Sequence, residues 1–282
     1  MSLEMLIATQ NRDGGWPYVR GVSWTEPTAF AVLAMLATGQ TERARRGLAW
    51  LNSMQRTDGG WAPQAQTDQS TWVTALAALI PPEHLGRQSH AQAIRWLASV
   101  TGEESTLLYR VREWLLGESR DPDQAFPGWP WVPGTAAWVA PTTFAILALD
   151  QECRRSENTA LRQRVEAGRH FLLLHMCREG GWNHGSVRPL GFESRPYPET
   201  TGLALAGLRG VASPEIARAL NRAKRFYAEC HSPDAFNWLR LGLLAHNALP
   251  EARPGLQPRT ILETAVDQIA NAAVGGRNWI FA

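Results

Sequence analysis

The sequence predicts an all-α fold in which helical hairpins close into an α/α toroid, a barrel of inner and outer helices. A Gly-Gly-Trp turn recurs along the 282 residues, ending at Trp16, Trp61 and Trp182, and self-similarity at such spacings indicates a repeat architecture. Each turn is followed shortly by a helix that is apolar on every side, which is typical of a buried helix. An amphipathic, arginine-rich helix then follows each buried one, as an outer ring requires.

The elements can be assigned in chain order. A short helix over residues 2–10 precedes the first turn and is expected to close the ring by packing beside the last helix. The predicted inner helices are Ala29–Ala37, Trp72–Ile80, Thr143–Leu149, Gly202–Leu208 and Ala235–His246. The predicted outer helices are Glu42–Met54, Ser89–Val100, Ala160–Met176, Glu215–Glu229 and Pro258–Ala273. An additional helix over Ser105–Leu116 fits the repeat poorly.

These elements predict one domain over residues 1–282, built of about five to six helical hairpins. A linear α-solenoid is the main alternative, because it also stacks helix pairs. Solenoid repeats usually keep a polar face on both helices, and the inner helices here have none. The closed ring is therefore preferred.

Composition and charge narrow the function. The net charge of +2 provides no strong field for nucleic acid or an anionic membrane. The three cysteines include no CxxC pair and favour a reduced, cytoplasmic setting. The sequence shows no signal peptide, and its apolar runs are shorter than the ~20 residues of a membrane span, although contact with a membrane surface stays open. No metal or other cofactor is predicted.

One turn carries a family resemblance. The segment from Arg46 to Trp61 follows a fixed pattern: a basic residue (Arg46), an aromatic-aliphatic pair (Trp50-Leu51), a glutamine (Gln55) and a Gly-x-Trp turn that ends at Trp61. This pattern resembles the QW repeat of squalene–hopene cyclases, which diterpene cyclases and the β-subunits of protein prenyltransferases share. The resemblance implies an α/α toroid that handles an isoprenoid. The full cyclases have two such domains and this chain has room for one, so a second toroid-domain protein is a possible partner.

The glutamine and tryptophan of this pattern are predicted to be structural. The glycine pair permits a sharp turn after an outer helix. The tryptophan then packs over the turn, and the glutamine binds backbone groups left open at a helix end.

A second register lies just before the inner helices, where the chain is expected to surround the opening of the toroid. The aligned segments are Trp24–Thr28, Thr67–Thr71, Trp138–Thr142 and Tyr197–Thr201. Their last residue is threonine each time, and aromatic residues begin three of them. We predict that Trp24, Trp138 and Tyr197 contact the substrate, where their faces would stabilise a carbocation. The alternative is that they wedge between neighbouring helix pairs.

The same register predicts Glu26 and Glu199 as catalytic residues. Either could cap a helix and interact with its dipole, or could be a buried acid with a raised pKa that protonates an alkene or epoxide. In the cyclases resembled, the proton donor belongs to an Asp-x-Asp-Asp-Thr-Ala motif at the comparable place. Here Trp24 and Pro27 stand where that motif has aspartates. The segment of this sequence most similar to the aspartate motif, at residues 121–123, is predicted to be a solvated loop.

The leading functional hypothesis is a terpene-cyclase-like protein that binds an apolar isoprenoid in a central cavity. If it is an enzyme, the reaction is acid-initiated cyclisation. One alternative is a non-catalytic isoprenoid-binding or partner subunit. A second is a carbohydrate-active α/α toroid, which would require the carboxyls of Glu26 and Glu199 to lie roughly 5–10 Å apart.

Overall fold

The computed structural model describes residues 2–103, 115, 127–185 and 195–281, and within them the prediction of an all-α toroid is confirmed. The helices are α1 (Leu3–Ala8), α2 (Thr25–Ala37), α3 (Thr41–Met54), α4 (Val73–Ala78), α5 (Pro82–Leu85), α6 (Arg87–Ser99), α7 (Val139–Arg155), α8 (Thr159–Leu174), α9 (Pro198–Gly207), α10 (Pro214–Glu229), α11 (Pro233–Ala245) and α12 (Ile261–Val274). The predicted loop at 121–123 lies outside the described residues, as does the helix predicted over Ser105–Leu116, apart from Leu115.

The inner ring is closed by contacts between successive helices. Going round it, α2 contacts α4, α4 contacts α7, and the series continues through α9, α11 and α12 back to α2. The outer helices α3, α6, α8 and α10 pack on α2, α4, α7 and α9. The inner helices begin at a common end, because residues at or just before their first turns line a shared cavity. We call this end the mouth.

The last helix corrects the sequence-based assignment. Residues 258–273 were predicted as an outer helix, but α12 contacts both α2 and α11 and belongs to the inner ring. The reason is its composition: α12 has no arginine and buries several residues, such as Ile261, Ala265, Val266 and Ile269. As predicted, the N-terminal helix packs beside the last helix, since α1 contacts α12.

A non-helical segment runs between α11 and α12, where the alternation of the earlier hairpins would place an outer helix. Arg253 ties it to the C-terminal end of α10. Its guanidinium donates to the carbonyl oxygens of Tyr227, Ala228 and Cys230, at 2.5, 3.0 and 3.2 Å. The chain thereby returns to the mouth and starts α12 in parallel with α11.

Four tryptophans hold the turns that enter inner helices. They are Trp16, Trp61, Trp129 and Trp182, each at most 2% exposed. In the second turn, the indole N–H of Trp61 donates to the Leu51 carbonyl of the preceding outer helix at 2.8 Å, and its backbone N–H donates to Thr74 Oγ1 of the next inner helix at 2.8 Å. The other three turns repeat both bonds, with Leu6 and Thr28, Leu97 and Thr142, and Leu172 and Thr201.

The glutamines have the structural role predicted for them. The side-chain amide of Gln55 donates to the carbonyls of Gly59 in its own turn and Ser89 in α6, both at 2.9 Å. Gln10 makes the same pair of bonds to Gly14 and Arg43, at 2.8 and 3.0 Å. Each amide therefore joins a turn to the first turn of the next outer helix.

These bonds shift the register predicted for the second inner helix. Thr74, not Thr71, accepts the backbone N–H of the turn tryptophan. The backbone N–H of Thr71 donates to the Trp61 carbonyl at 2.8 Å, as that of Trp24 donates to the Trp16 carbonyl at 3.0 Å. Thr71 is thus the structural counterpart of Trp24. Alignment on a shared threonine misled because threonines occur at both positions.

Helices α9 and α11 approach each other through a pair of glycines. A Cβ atom added to Gly242 would lie 2.2 Å from the carbonyl oxygen of Gly202, which no relaxed structure permits. We expect Gly242→Ala to lower the free energy of unfolding by about 1–3 kcal/mol, because the helices must separate. Urea unfolding tests this. The control is Gly255→Ala, where a Cβ meets nothing within 4 Å; an equal loss in both variants would contradict the prediction.

Candidate functional site

A cavity of about 380 Å³ opens at the mouth, inside the ring of inner helices. Its volume is at the lower end of the ~300–1,000 Å³ range of small-molecule sites. It is lined by residues of α2, α7, α9, α11 and α12 and by residues of the segments that precede inner helices, namely Trp72, Trp131, His184 and Thr260. All the inner helices thus contribute to one space at or near their N-terminal ends.

The lining has two layers, because residues three or four apart lie on the same face of a helix. Four carboxyl side chains stand in the upper layer at the helix starts, and we call them the carboxyl layer: Glu26, Glu199, Asp234 and Glu263. One turn deeper along the same helices, the lining is apolar. It consists there of Phe30, Leu203, Trp238 and Val266, with Phe144 from α7.

Three rings form the bottom of the cavity, and we call them the aromatic floor: Phe30, Phe144 and Trp238. They come from alternate inner helices, and their centroids lie 5.6–6.0 Å apart in edge-to-face arrangements. All three are buried. Trp72 extends the aromatic surface up the wall, with its ring 5.7 Å from that of Phe144 and 4.7 Å from that of Trp131.

Glu26 is the first predicted catalytic residue, and it lines the cavity. The hydroxyl of Tyr18, on the loop before α2, donates a hydrogen bond to Glu26 Oε2. Burial raises the pKa of Glu26, while the Tyr18 hydrogen bond opposes that rise. The pKa of Tyr18 is raised by its own burial and by the neighbouring Glu26 charge. The described contact of Glu26 is therefore with a tyrosine and not with a helix N–H group.

Glu199, the second predicted catalytic residue, lies in the first turn of α9 and also lines the cavity. The structure thus brings the two predicted acids together at one opening. Whether either of them is catalytic stays a prediction.

Asp234 lines the same cavity as Glu26 and Glu199, although the sequence analysis did not identify it. It lies in the first turn of α11, where the hydroxyl of Ser232 accepts the backbone N–H of Ala235 and so caps the helix. Burial raises the pKa of Asp234 to about 6, helped by the charges of the other three members of the carboxyl layer. A hydrogen bond from Trp238 opposes the rise. The overlooked signal was an acid at a capped helix start with tryptophan four residues later.

Glu263 has a structural role. Its carboxylate accepts the backbone N–H groups of Arg259 and Thr260, at 2.6 and 3.2 Å. In return, the Thr260 hydroxyl accepts the Glu263 N–H at 3.1 Å. This is a capping box, and it holds the Glu263 carboxylate at the start of α12.

The three aromatic residues predicted to contact substrate lie around the mouth. Trp24, Trp138 and Tyr197 are not among the described lining residues. Trp138 and Tyr197 are 37% and 45% exposed, and the ring of Trp24 packs edge-on against Tyr18 at 5.3 Å. Each precedes its helix as the N-cap. Their contact with substrate stays a prediction, while the aromatic floor, Trp72 and Trp131 are aromatic residues that do line the cavity.

Within the described ranges, His, Cys, Asp and Glu side chains form no group of three or more arranged to hold a metal ion. No helix there is both long enough and apolar enough to cross a bilayer.

Comparison with known proteins gives limited sequence similarity. No protein-family model matches the chain. An uncharacterised protein of Sinorhizobium fredii is 36% identical over 132 residues, which is 44% of this chain and 22% of that protein. The chain therefore spans about a fifth of the length of this curated relative.

Solved structures resemble the fold. A GH8 endo-β-1,4-glucanase from an Achatina fulica gut metagenomic library has a TM-score of 0.63 at 13% identity, covering 98% of both chains. A protein from Actinoplanes has a TM-score of 0.56 at 18% identity, covering 95% of this chain and 78% of its own. A type II terpene cyclase from Scytonema, in complex with geranylgeranyl dihydroxybenzoate, has a TM-score of only 0.43 at 14% identity, covering 98% and 95%. At these identities the similarity with the first two proteins shows the fold alone.

Proposed function

We propose that this protein binds an apolar isoprenoid in the mouth cavity and catalyses its acid-initiated cyclisation. The observation that carries the proposal is the carboxyl layer placed one helical turn above the aromatic floor. An acid and a cation-stabilising surface are the two components that such a reaction needs from a protein.

The acid must carry a proton near neutral pH. Burial acts in this direction, because it disfavours the charged form of a carboxyl group: it raises the pKa of Glu26, and it raises that of Asp234 to about 6. Glu26 and Glu199 are the acids that the sequence proposes, and both face the cavity.

The floor and walls then act on the cation. Protonation of a terminal double bond or epoxide leaves a positive charge on carbon, and each aromatic face within reach stabilises it by roughly 0.5–2 kcal/mol. The adjacent double bond of the same chain adds to that carbon and closes a ring. The deeper lining, which is apolar, keeps water from quenching the cation. Loss of a proton from the last cation completes an isomerisation.

The lining also separates this proposal from carbohydrate hydrolysis, which the GH8-like fold alone would permit. A sugar needs polar partners along its whole length, because each buried hydroxyl must be hydrogen-bonded. Below the carboxyl layer the cavity offers mainly aromatic and aliphatic side chains. An isoprenoid fits that surface better.

The second candidate is an isoprenoid-binding protein without turnover, acting alone or with a second toroid-domain protein. It is favoured by the absence of the aspartate motif, since Trp24 and Pro27 replace two of its acids. Such a protein would keep the apolar cavity and retain its ligand unchanged.

The test is to incubate the purified protein with neutral isoprenoids, their epoxides and prenyl diphosphates, from ten carbons to squalene, with and without magnesium. We expect mass spectrometry to show a product of unchanged mass and new retention time, formed without magnesium. Cello-oligosaccharides are assayed in parallel. Retention of an isoprenoid without conversion would support the second candidate. Cleavage of the oligosaccharides, or neither conversion nor retention of any isoprenoid, would contradict the proposal.

A further inference from the structure

We propose that Asp234 is the acid that delivers the proton, and that Trp238 positions its carboxyl group above the aromatic floor. This assignment rests on the proposed function and names the residue that starts the reaction. It differs from the two acids suggested by the sequence, and four observations on the carboxyl layer carry it.

First, the members of the layer are engaged differently. Glu263 is held by two backbone N–H groups in the capping box of α12, so its carboxylate is part of a helix end. Asp234 is not needed as a cap, because Ser232 already caps α11. Its carboxyl group is therefore free to change its protonation state without opening a helix end.

Second, the charges of all three other members of the carboxyl layer disfavour the ionised form of Asp234. The carboxylates of Glu199, Glu263 and Glu26 each act on it, from α9, α12 and α2. Among the described lining residues, no arginine or lysine offsets this negative charge. Like charges that share a site favour protonation of one member. The neutral form of Asp234 relieves three repulsions at once.

Third, Trp238 connects this acid to the floor. Its ring lies one turn below Asp234 on α11, and both side chains line the cavity. The same ring packs 6.0 Å from Phe30 and 5.6 Å from Phe144. A cation formed beside Asp234 is therefore formed at the edge of the surface that stabilises it.

Fourth, Glu26 is tied elsewhere. Its carboxylate accepts the hydroxyl of Tyr18, which lies on the loop before α2 and is not among the described lining residues. That hydrogen bond favours the ionised form of Glu26 and opposes the effect of burial. We therefore assign the proton to Asp234 and not to Glu26.

The proposed step is balanced within the site. The O–H bond of Asp234 breaks, and its proton forms a C–H bond with the π electrons of a terminal double bond. The carboxylate of Asp234 and a tertiary carbocation remain. The next double bond closes the ring, a proton is released to water from the final cation, and Asp234 regains a proton from solvent. No oxidant or reductant is required.

The test compares Asp234→Asn with Asp234→Glu and with the matched control Asp68→Asn, which removes an exposed carboxyl outside the lining. We expect Asp234→Asn to lower kcat at least about 100-fold while it still retains unreacted isoprenoid in an extraction assay. Asp234→Glu should restore part of the turnover. Retained ligand shows that the cavity is folded, so loss of turnover then reports on the proton.

A pH profile gives the second measurement. Wild-type kcat should fall as pH rises through about 6, where Asp234 loses its proton. The other titratable groups that line the cavity are Glu26, Glu199, Glu263 and His184. The described lining residues of α7, and those just before α4, include no titratable group. In Glu26→Gln the fall should persist.

The outcomes separate two failures. A wild-type protein that cyclises no isoprenoid would overturn the proposed function and this assignment with it. An active wild-type protein whose Asp234→Asn variant keeps its kcat, or whose pH profile follows Glu26 and not Asp234, would overturn the assignment and leave the function standing.

Discussion

Replacing Asp234 by asparagine is expected to raise the free energy of unfolding near pH 7.5, by up to about 3 kcal/mol. Asparagine has nearly the same shape and can still accept the Trp238 indole N–H, but it carries no charge. The variant therefore loses the cost of placing a fourth carboxylate, largely buried, beside Glu199, Glu263 and Glu26. Urea unfolding at pH 7.5 measures the difference.

The pH dependence has a definite sign. The pKa of Asp234 is raised from 3.8 to about 6 in the folded protein, so the folded state binds more protons between these values than the unfolded state does. Stability of the wild-type protein therefore falls as pH rises through that window. The advantage of the variant should be near zero below pH 4, grow up to about pH 6, and stay constant above it.

The control is again Asp68→Asn, which is expected to change stability by less than ~0.5 kcal/mol at any of these pH values. A variant Asp234→Asn that is less stable than wild type at pH 7.5, or whose advantage does not vary with pH, would show that the carboxyl layer is not under electrostatic strain. A more stable variant with lost turnover is the combination expected of a residue kept for function.

The repeat pattern was sufficient to predict most of the fold. Gly-Gly-Trp turns, each followed by a helix without a polar face, indicate where α2, α4 and α9 begin, because both features follow from local chemistry. The position of α12 was not predictable from alternation, since one non-helical segment tied by Arg253 replaces an outer helix. The absence of arginine from α12 indicated an inner helix, but the assignment followed the alternation of inner and outer helices.

The candidate site was predicted in part. Glu26 and Glu199 were identified as acids at the opening, and both line the cavity. Asp234 was missed because the register was aligned on the threonine that ends each segment, and no threonine stands at the start of α11.

The aromatic residues at the mouth show that equivalent positions in the sequence alignment need not line the cavity. Trp138 is the N-cap of α7 and is not among the described lining residues. The ring that reaches the interior stands further along the helix, as Phe144 does in α7. Phe30 and Trp238 each stand four residues after an acidic residue. Counting one helical turn onward from the acids, and not from the N-caps, would therefore have identified both as lining residues.

Trp61→Ala is expected to have the largest effect on stability, a loss of about 3–5 kcal/mol in the free energy of unfolding. The indole is completely buried in the core, and its N–H joins the turn to the Leu51 carbonyl. Removing the ring leaves a cavity and an unpaired carbonyl between the outer helix α3 and the inner helix α4. Equilibrium unfolding in urea gives the value.

Trp61→Phe separates the two contributions. Phenylalanine keeps most of the packing but cannot donate to Leu51, so we expect a loss of about 1–3 kcal/mol from the unsatisfied carbonyl and the smaller ring. The control is Trp138→Ala, because that indole is 37% exposed and should cost less than Trp61→Ala. If Trp138→Ala destabilised the protein as much as Trp61→Ala, the turn tryptophans would not be what holds the ring. Since the bonds of Trp61 recur at Trp16, Trp129 and Trp182, the mouth owes its geometry to residues that never reach the cavity.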